Sequence, residues 1–488
     1  MKRRTTLLLL AFSIGILLFH ETIFWDFTVD DAFISFRYAK NFTEGKGLVY
    51  NTGERVDGAT NILWTILCAG IASLKFNIVL GSKIIGVLSS ILALIASYLL
   101  INSVLQDKRF SILLPLFLSS TTIYSYWAVS GLEVPFYTLW LLLSLLFFIK
   151  EENSELKFPY SSLFLILLTL TRPEGFAIFL IFSVFKGMRA MSTVNGKGFL
   201  KWVGLYLLII GIYLLFKKLY YGYYLPNTFY AKVITHSGRG PVNPSNTLVE
   251  NARLVYHFVK YFTFPLLAIC FIPFLYRKPN WKDGLLITII TFIFLYELKV
   301  GDEPNMHLFR FSAPIIPLLL LYVSEGMSFL FHASDSKKRM LSKSILLIMV
   351  ICIMFSLASQ TKWAIEYIKN NNLGQLQEME MARWFRENTP LNSSILTFWG
   401  GLVPFYLEDR YVIEYNGILD EYIAHYGKTS EIKNLYIFDE IKPNYIIPDP
   451  YRPEFWNEKR FIDNYRKIDF PSNYHVGEGY LFQRITYE

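Results

Sequence analysis

Two adjacent acids, Asp30 and Asp31, open the first long polar stretch of this 488-residue chain, DDAFISFRYAKNFTEGKGLVYNTGERVDGATNILW. A positioned carboxylate can take the proton from a hydroxyl nucleophile, which contributes ~10²–10⁴-fold in general-base catalysis. Asp is also a preferred N-cap, so the pair equally suits the start of a helix running on from Ala32. Two carboxylates this close resist joint ionisation unless a cation such as Arg37 or Arg55 stands nearby. Further along, Arg55 and Asp57 share the polar turn GERVDGATN, where they can pair with each other.

Other polar groups fall in short turns between apolar runs. Glu133 lies in SGLEVP, Arg172 and Glu174 in TRPEG, and Asp302, His307 and Arg310 in GDEPNMHLFRF. A Gly or Pro beside an acid is ordinary turn chemistry. Arg stays charged and forks around phosphate oxygens, or it snorkels to lipid headgroups. Asn227 in LPNTFYAK and Asp420 with Glu421 in YNGILDEYIAHYG complete the set. The last two acids read either as acceptor contacts or as helix-start acids favoured at the positive end of a dipole.

The elements that position these groups are membrane helices. Only 18% of the chain is charged and 53% is hydrophobic, against about 25% charged in a soluble domain. Apolar runs such as IIGVLSSILALIASYLLI reach the length of a spanning helix. Spans are expected near residues 6–24, 82–105, 111–128, 135–150, 158–171, 176–187, 200–219, 261–276, 284–299, 312–331 and 343–360. The first is read as an uncleaved anchor, because no small-residue cleavage site follows it. NILWTILCAGIASLKF is read as a juxtamembrane helix, and AFISFRYAKNF as an amphipathic helix lying on the membrane surface.

Lys and Arg crowd alternate loops, including Lys2, Arg3 and Arg4 and the run Lys337, Lys338 and Arg339. This bias sets those loops inside and every polar motif above outside. The same bias accounts for the net charge of +8 without nucleic acid. The expected architecture is therefore mainly α: about eleven transmembrane helices over residues 1–360, with a first outer loop at 25–81. A small extracytoplasmic α/β domain follows at 361–488, with strands in SILTF, RYVIEY, NYIIP and GYLFQRI.

Several chemistries lack a signal. There is no Walker loop, dinucleotide fingerprint, metal-ligand spacing or nucleophile elbow. Cys68, Cys270 and Cys352 all lie in apolar segments and read as core residues. Chemistry on the outer face has no soluble nucleotide to draw on and needs a lipid-borne donor.

The first polar stretch resembles the first periplasmic loop of GT-C glycosyltransferases, in particular the family of the mycobacterial terminal β-1,2-arabinofuranosyltransferase. SGLEVPFY, TRPEGF, YYGYYLPNTFYAK, GDEPNMHLFRFSAPIIP and VIEYNGILDEYIAHYG carry the resemblance along nearly the whole chain. Glu414 stands where the family's tail pattern usually has Asp. The resemblance implies transfer of a sugar, such as a pentofuranose, from a polyprenyl-phosphate carrier to a glycan or glycolipid acceptor, with inversion. It implies Asp30 or Asp31 as general base and Arg310, His307 and Arg172 as groups for the leaving phosphate. Arg37, Arg55, Asp57, Asn61, Glu133, Glu174, Asn227, Asp302 and Asp420 are the expected substrate contacts. It further implies a monomer in the bacterial cytoplasmic membrane, its site on the periplasmic side, acting without a metal ion or other cofactor. A transporter or flippase of a lipid-linked sugar is the alternative from another class.

Overall fold

A computed structural model describes residues 3–105, 108, 110–153, 156, 158–193, 196–235, 244–262, 264–300, 309–331, 336–407, 410–448, 453–471 and 480–485. The chain forms two compact units. The first comprises Met1–Phe27, Ser82–Gly211 and Asn243–Ile368; the second comprises Thr28–Gly81, Ile212–Val242 and Lys369–Glu488.

The first unit is helical. Among the described residues of the whole chain, six helices are long and apolar enough to cross a membrane: Arg4–Ile23, Ile78–Val104, Val134–Glu152, Gly175–Ser192, Gly196–Tyr221 and Ala313–Phe331. The protein is thus a multi-pass membrane protein. The segment expected as one span over 111–128 is broken into Leu113–Ser120 and Thr122–Ala128. Thr121 between them is extended, and the hydroxyls of Ser119, Ser120 and Thr121 bond back to carbonyls of the preceding turn. Such back-bonding bends helices. Helices Val134–Glu152 and Tyr160–Thr171 pack as an antiparallel pair, and the tight TRPEG turn leads into the next helix. Gly175 is needed there, since a Cβ would stand 2.7 Å from the Thr169 backbone.

Ser336–Asn388 is one continuous helix of 53 residues. The change from apolar to polar composition near residue 361 therefore marks a change of surroundings and not the end of the helix. It stops just before Pro390, whose ring disfavours helical geometry in the residue ahead of it. Arg410 seals this end by donating to the carbonyls of Phe385 at 3.1 Å and Thr389 at 2.9 Å, satisfying acceptors that a helix C-terminus leaves open.

The second unit contains a five-stranded sheet: β1 (Ser394–Thr397), β2 (Tyr411–Glu414), β3 (Tyr445–Ile446), β4 (Tyr465–Asp469) and β5 (Tyr480–Arg484). The order is β2-β1-β3-β5-β4, with β1 parallel to both β2 and β3, and β5 antiparallel to both β3 and β4. Its core gathers Leu396, Phe398, Ile413, Tyr415, Phe455 and Phe461. The helix Asp30–Thr43, expected as an amphipathic helix at the membrane surface, belongs to this unit and is largely buried within the protein. Eight of its fourteen residues are buried, among them Phe33, Phe36, Arg37 and Asn41. Burying each Phe is worth about 1.5–3 kcal/mol, and the polar pair is accommodated by backbone acceptors described below. Ile62–Ser73, at 12 residues, is too short to span, because a crossing needs roughly 20.

Candidate functional site

Asp30 is the first residue of the helix Asp30–Thr43, whose N-cap is Val29 without any side-chain cap. The acid pair therefore does not cap its own helix. The Asp30 carboxylate instead accepts a hydrogen bond of 2.6 Å from the backbone N–H of Leu402, the first residue of the short helix Leu402–Tyr406. The chain can come this close only because residue 401 is Gly: a Cβ there would collide with the Asp30 carboxyl and carbonyl. Tyr50 supports the same turn, its hydroxyl donating to the Gly400 carbonyl at 2.7 Å.

Burial pushes the Asp30 carboxyl up to about 7, with the negative charge of Asp31 adding to the rise and the Leu402 and Gly401 N–H groups opposing it. Glu378, on the polar end of the long helix, is raised to about 8 by burial and then by the charge of Asp30. Gln375, one turn earlier, donates to the carbonyl of Thr28 and sets that turn beside the head of the first-loop helix. A carboxyl that titrates near neutrality suits proton transfer at neutral pH, because it ionises there yet remains basic enough to accept a proton.

Arg37 is 1% exposed and donates to the carbonyls of Tyr50 at 2.8 Å and Arg410 at 3.1 Å, to that of Pro404, and to Asn51 Oδ1 at 3.2 Å. It ties the first loop to the segment that holds Asp30. Asn61 accepts from Ser35 and Thr65 within the same loop. Asp57 pairs with Lys217 at 2.7 Å and not with Arg55, which lies 4.6 Å over the Tyr220 ring. Asn227 donates to the carbonyls of Gly417, Ile418 and Asp420 at 2.8–3.1 Å. Asp420 caps the helix Glu421–Tyr426 through Ile423 N–H at 2.8 Å. Its carboxyl is nonetheless pushed up to about 6, chiefly by burial. Glu414 accepts from the N–H groups of Asn416 and Ile418 at 2.8 and 2.7 Å, and burial raises it to about 7. The longer acid at this position wraps the turn that follows it.

The first unit contains a second polar cluster. Glu133, the N-cap residue of Val134–Glu152, receives Arg172 Nη1 at 2.9 Å and Arg310 Nη2 at 3.4 Å on the same oxygen. Arg172 also pairs with Glu174 through Nε. The Phe311 ring lies under both guanidinium groups, 4.5 Å from Arg172 and 5.7 Å from Arg310. Arg172 is thus neutralised by two acids, while Arg310 shares one of them. His307 and Asp302 lie outside the described residues.

Glu378, Gly401 and Leu402 escape the sequence reading. Glu378 is one of several acids on a polar helix, and only its facing distinguishes it. The Gly-Gly step at 400–401 was a visible signal, since paired glycines mark close backbone approach.

Residues 367–484 match the model of a domain of unknown function, DUF8728. None of the curated proteins matches the chain. The solved structure of ArnT from Cupriavidus metallidurans bound to undecaprenyl phosphate is similar in fold. Its TM-score is 0.61 at 11% identity, over 99% of this chain and 98% of that one. An Archaeoglobus fulgidus oligosaccharyltransferase tethered with an acceptor peptide gives a TM-score of 0.59 at 13% identity, over 92% and 69% of the two chains. The oligosaccharyltransferase AglB from the same organism, in complex with an inhibitory peptide and a dolichol-phosphate, gives 0.53 at 12% identity, over 90% and 69%. The chain has a GT-C-type fold: a membrane helix bundle with a small C-terminal sheet domain.

Proposed function

We propose that the protein transfers a sugar from a polyprenyl-phosphate carrier to a hydroxyl of a glycan or glycolipid. The observation that carries this reading is the acid at the head of the first loop, held by a backbone N–H and titrating near neutrality. The full-length fold likeness to ArnT, whose structure holds undecaprenyl phosphate, supports it.

In the reaction the acceptor oxygen attacks the anomeric carbon as its proton passes to a carboxylate, Asp31 or Asp30. The carbon–oxygen bond to phosphate breaks, and polyprenyl phosphate leaves with the electron pair. One displacement inverts the anomeric centre. The growing charge on the phosphate is the part of the reaction that cations stabilise most in a water-poor site. Arg310, with Arg172 and His307, is assigned that role. Arg172, paired with Glu133 and Glu174, also holds Glu133 in place beside Arg310.

The sugar in this reading is a pentofuranose such as arabinofuranose. The enzyme acts as a monomer on the outer face of the cytoplasmic membrane, and the mechanism calls on no metal ion. The test is incubation of purified protein with polyprenyl-phosphate arabinofuranose and a glycan acceptor. Stoichiometric formation of glycoside and polyprenyl phosphate is the expected result. Lipid-linked sugar crossing a bilayer with no glycoside formed would contradict it.

A further inference from the structure

The first unit contains a groove unconnected with these assignments. The helix Arg3–Ile23 contributes Ile16, Phe19 and Ile23 to one wall, and the long helix contributes Ala358 and Ile365 to the other. These positions recur at the three-, four- and seven-residue spacing of a helix face. The cavity has a volume of ≈ 590 Å³, and Phe19 in its wall is 68% exposed. One end is polar. There His20 Nε2 lies 3.1 Å from Thr361 Oγ1, which is itself 3.1 Å from Thr122 Oγ1. That chain of contacts ties three helices together and fixes the floor. On the rim stand Lys362 and Glu366, both exposed, and neither side chain makes an ion pair or hydrogen bond among the described residues.

We propose that this groove binds one zwitterionic phospholipid of the phosphatidylethanolamine class. Lys362 and Glu366 are four residues apart, with Lys toward the N-terminus. That is the weaker orientation for an ion pair within a helix, which leaves both charges to an outside partner. A phosphoethanolamine head presents a phosphate and an ammonium two carbons apart, matching a cation and an anion one turn apart. Its phosphate lies toward Lys362 and His20, and its ammonium donates to Glu366. The acyl chain then follows the apolar walls, each buried methylene contributing about 0.8 kcal/mol. A singly anionic lipid, phosphatidylglycerol or polyprenyl phosphate, would satisfy Lys362 but bring its negative charge against Glu366.

The test is native mass spectrometry of the purified full-length protein. Phosphatidylethanolamine, phosphatidylglycerol and undecaprenyl phosphate are each added at equal concentration. One phosphatidylethanolamine per chain is expected, retained over the anionic lipids. Lys362→Glu should reduce retention about fivefold, the weight of one cation at a lipid headgroup. Glu366→Lys should shift preference toward phosphatidylglycerol, and Ile16→Trp, which fills the groove, should abolish retention of all three. Both charged residues are exposed, so their variants should elute from size exclusion as the parent does. Equal retention by the parent and Lys362→Glu would identify only annular lipid and overturn the proposal. So would a parent preference for either anionic lipid.

Discussion

The Asp30 carboxylate and the Leu402 backbone N–H meet at 2.6 Å, although 372 residues separate them in the chain. The acid at the head of the first loop is therefore held by a turn in the last fifth of the sequence. Its ionisation responds to burial, to that turn and to the adjacent Asp31.

Gly401→Ala tests the close approach directly. The new Cβ would overlap the Asp30 carboxyl, and overpacking of this kind costs about 1–3 kcal/mol. The expected outcome is a lower thermal midpoint together with loss of sugar transfer. Gly70→Ala is the control: nothing lies within 4 Å of its Cβ position, in the helix Ile62–Ser73. There the change should leave stability equal or raise it by about 0.4–1 kcal/mol.

The rate of transfer should rise with pH through about 7, where burial places the Asp30 carboxyl, because the base acts only when ionised. Glu378 is raised further, to about 8, by burial and then by the charge of Asp30. It is therefore still protonated when Asp30 ionises, and Glu378→Gln should leave the rising limb in place. A limb that moves to lower pH in the variant would show that Glu378 is already charged when Asp30 ionises.

Stability should follow the opposite course. Asp30, Glu378, Glu414 and Asp420 all titrate higher in the fold than their ordinary values. The folded chain thus holds more protons than the unfolded chain between roughly pH 4 and 8, and stability falls as pH rises through that window. Thermal midpoints measured from pH 5 to 8.5 should decline, less steeply in Glu378→Gln.

Arg172→Met should be among the most destabilising single changes in the first unit. It leaves Glu133 and Glu174 buried without their main cation, a loss of about 3–5 kcal/mol for a broken buried pair. In a double-mutant cycle with Glu133→Gln, the two changes should be non-additive by about 0.5–3 kcal/mol. Additive effects in detergent melts would show that the pair is not energetically linked.

Much of this architecture is legible in local pattern. SILTF, RYVIEY, NYIIP and GYLFQRI mark β1, β2, β3 and β5, because β-branched and aromatic runs sit between turn residues. β4, YRKID, is an edge strand with a mostly exposed face, so its charges hide it. The first-loop helix reads as interfacial from its amphipathic pattern. Within the protein it is largely buried, because Arg37 and Asn41 find carbonyl acceptors at Tyr50 and, 367 and 373 positions along the chain from Arg37, at Pro404 and Arg410. The candidate acids stand out by type and adjacency. What sequence could not supply is their partners: Asp57 with Lys217, Asp30 with Leu402 and Glu378 with Asp30 are all set by tertiary packing.

The most direct measurement is single-turnover sugar transfer by purified Asp30→Asn, Asp31→Asn and the double variant, each checked for a parent-like thermal midpoint. At least one single variant and the double variant should lose ~10²-fold or more of the rate, as expected when a general base is removed. Full activity in both single variants and in the double variant would contradict the assignment of the base to this pair.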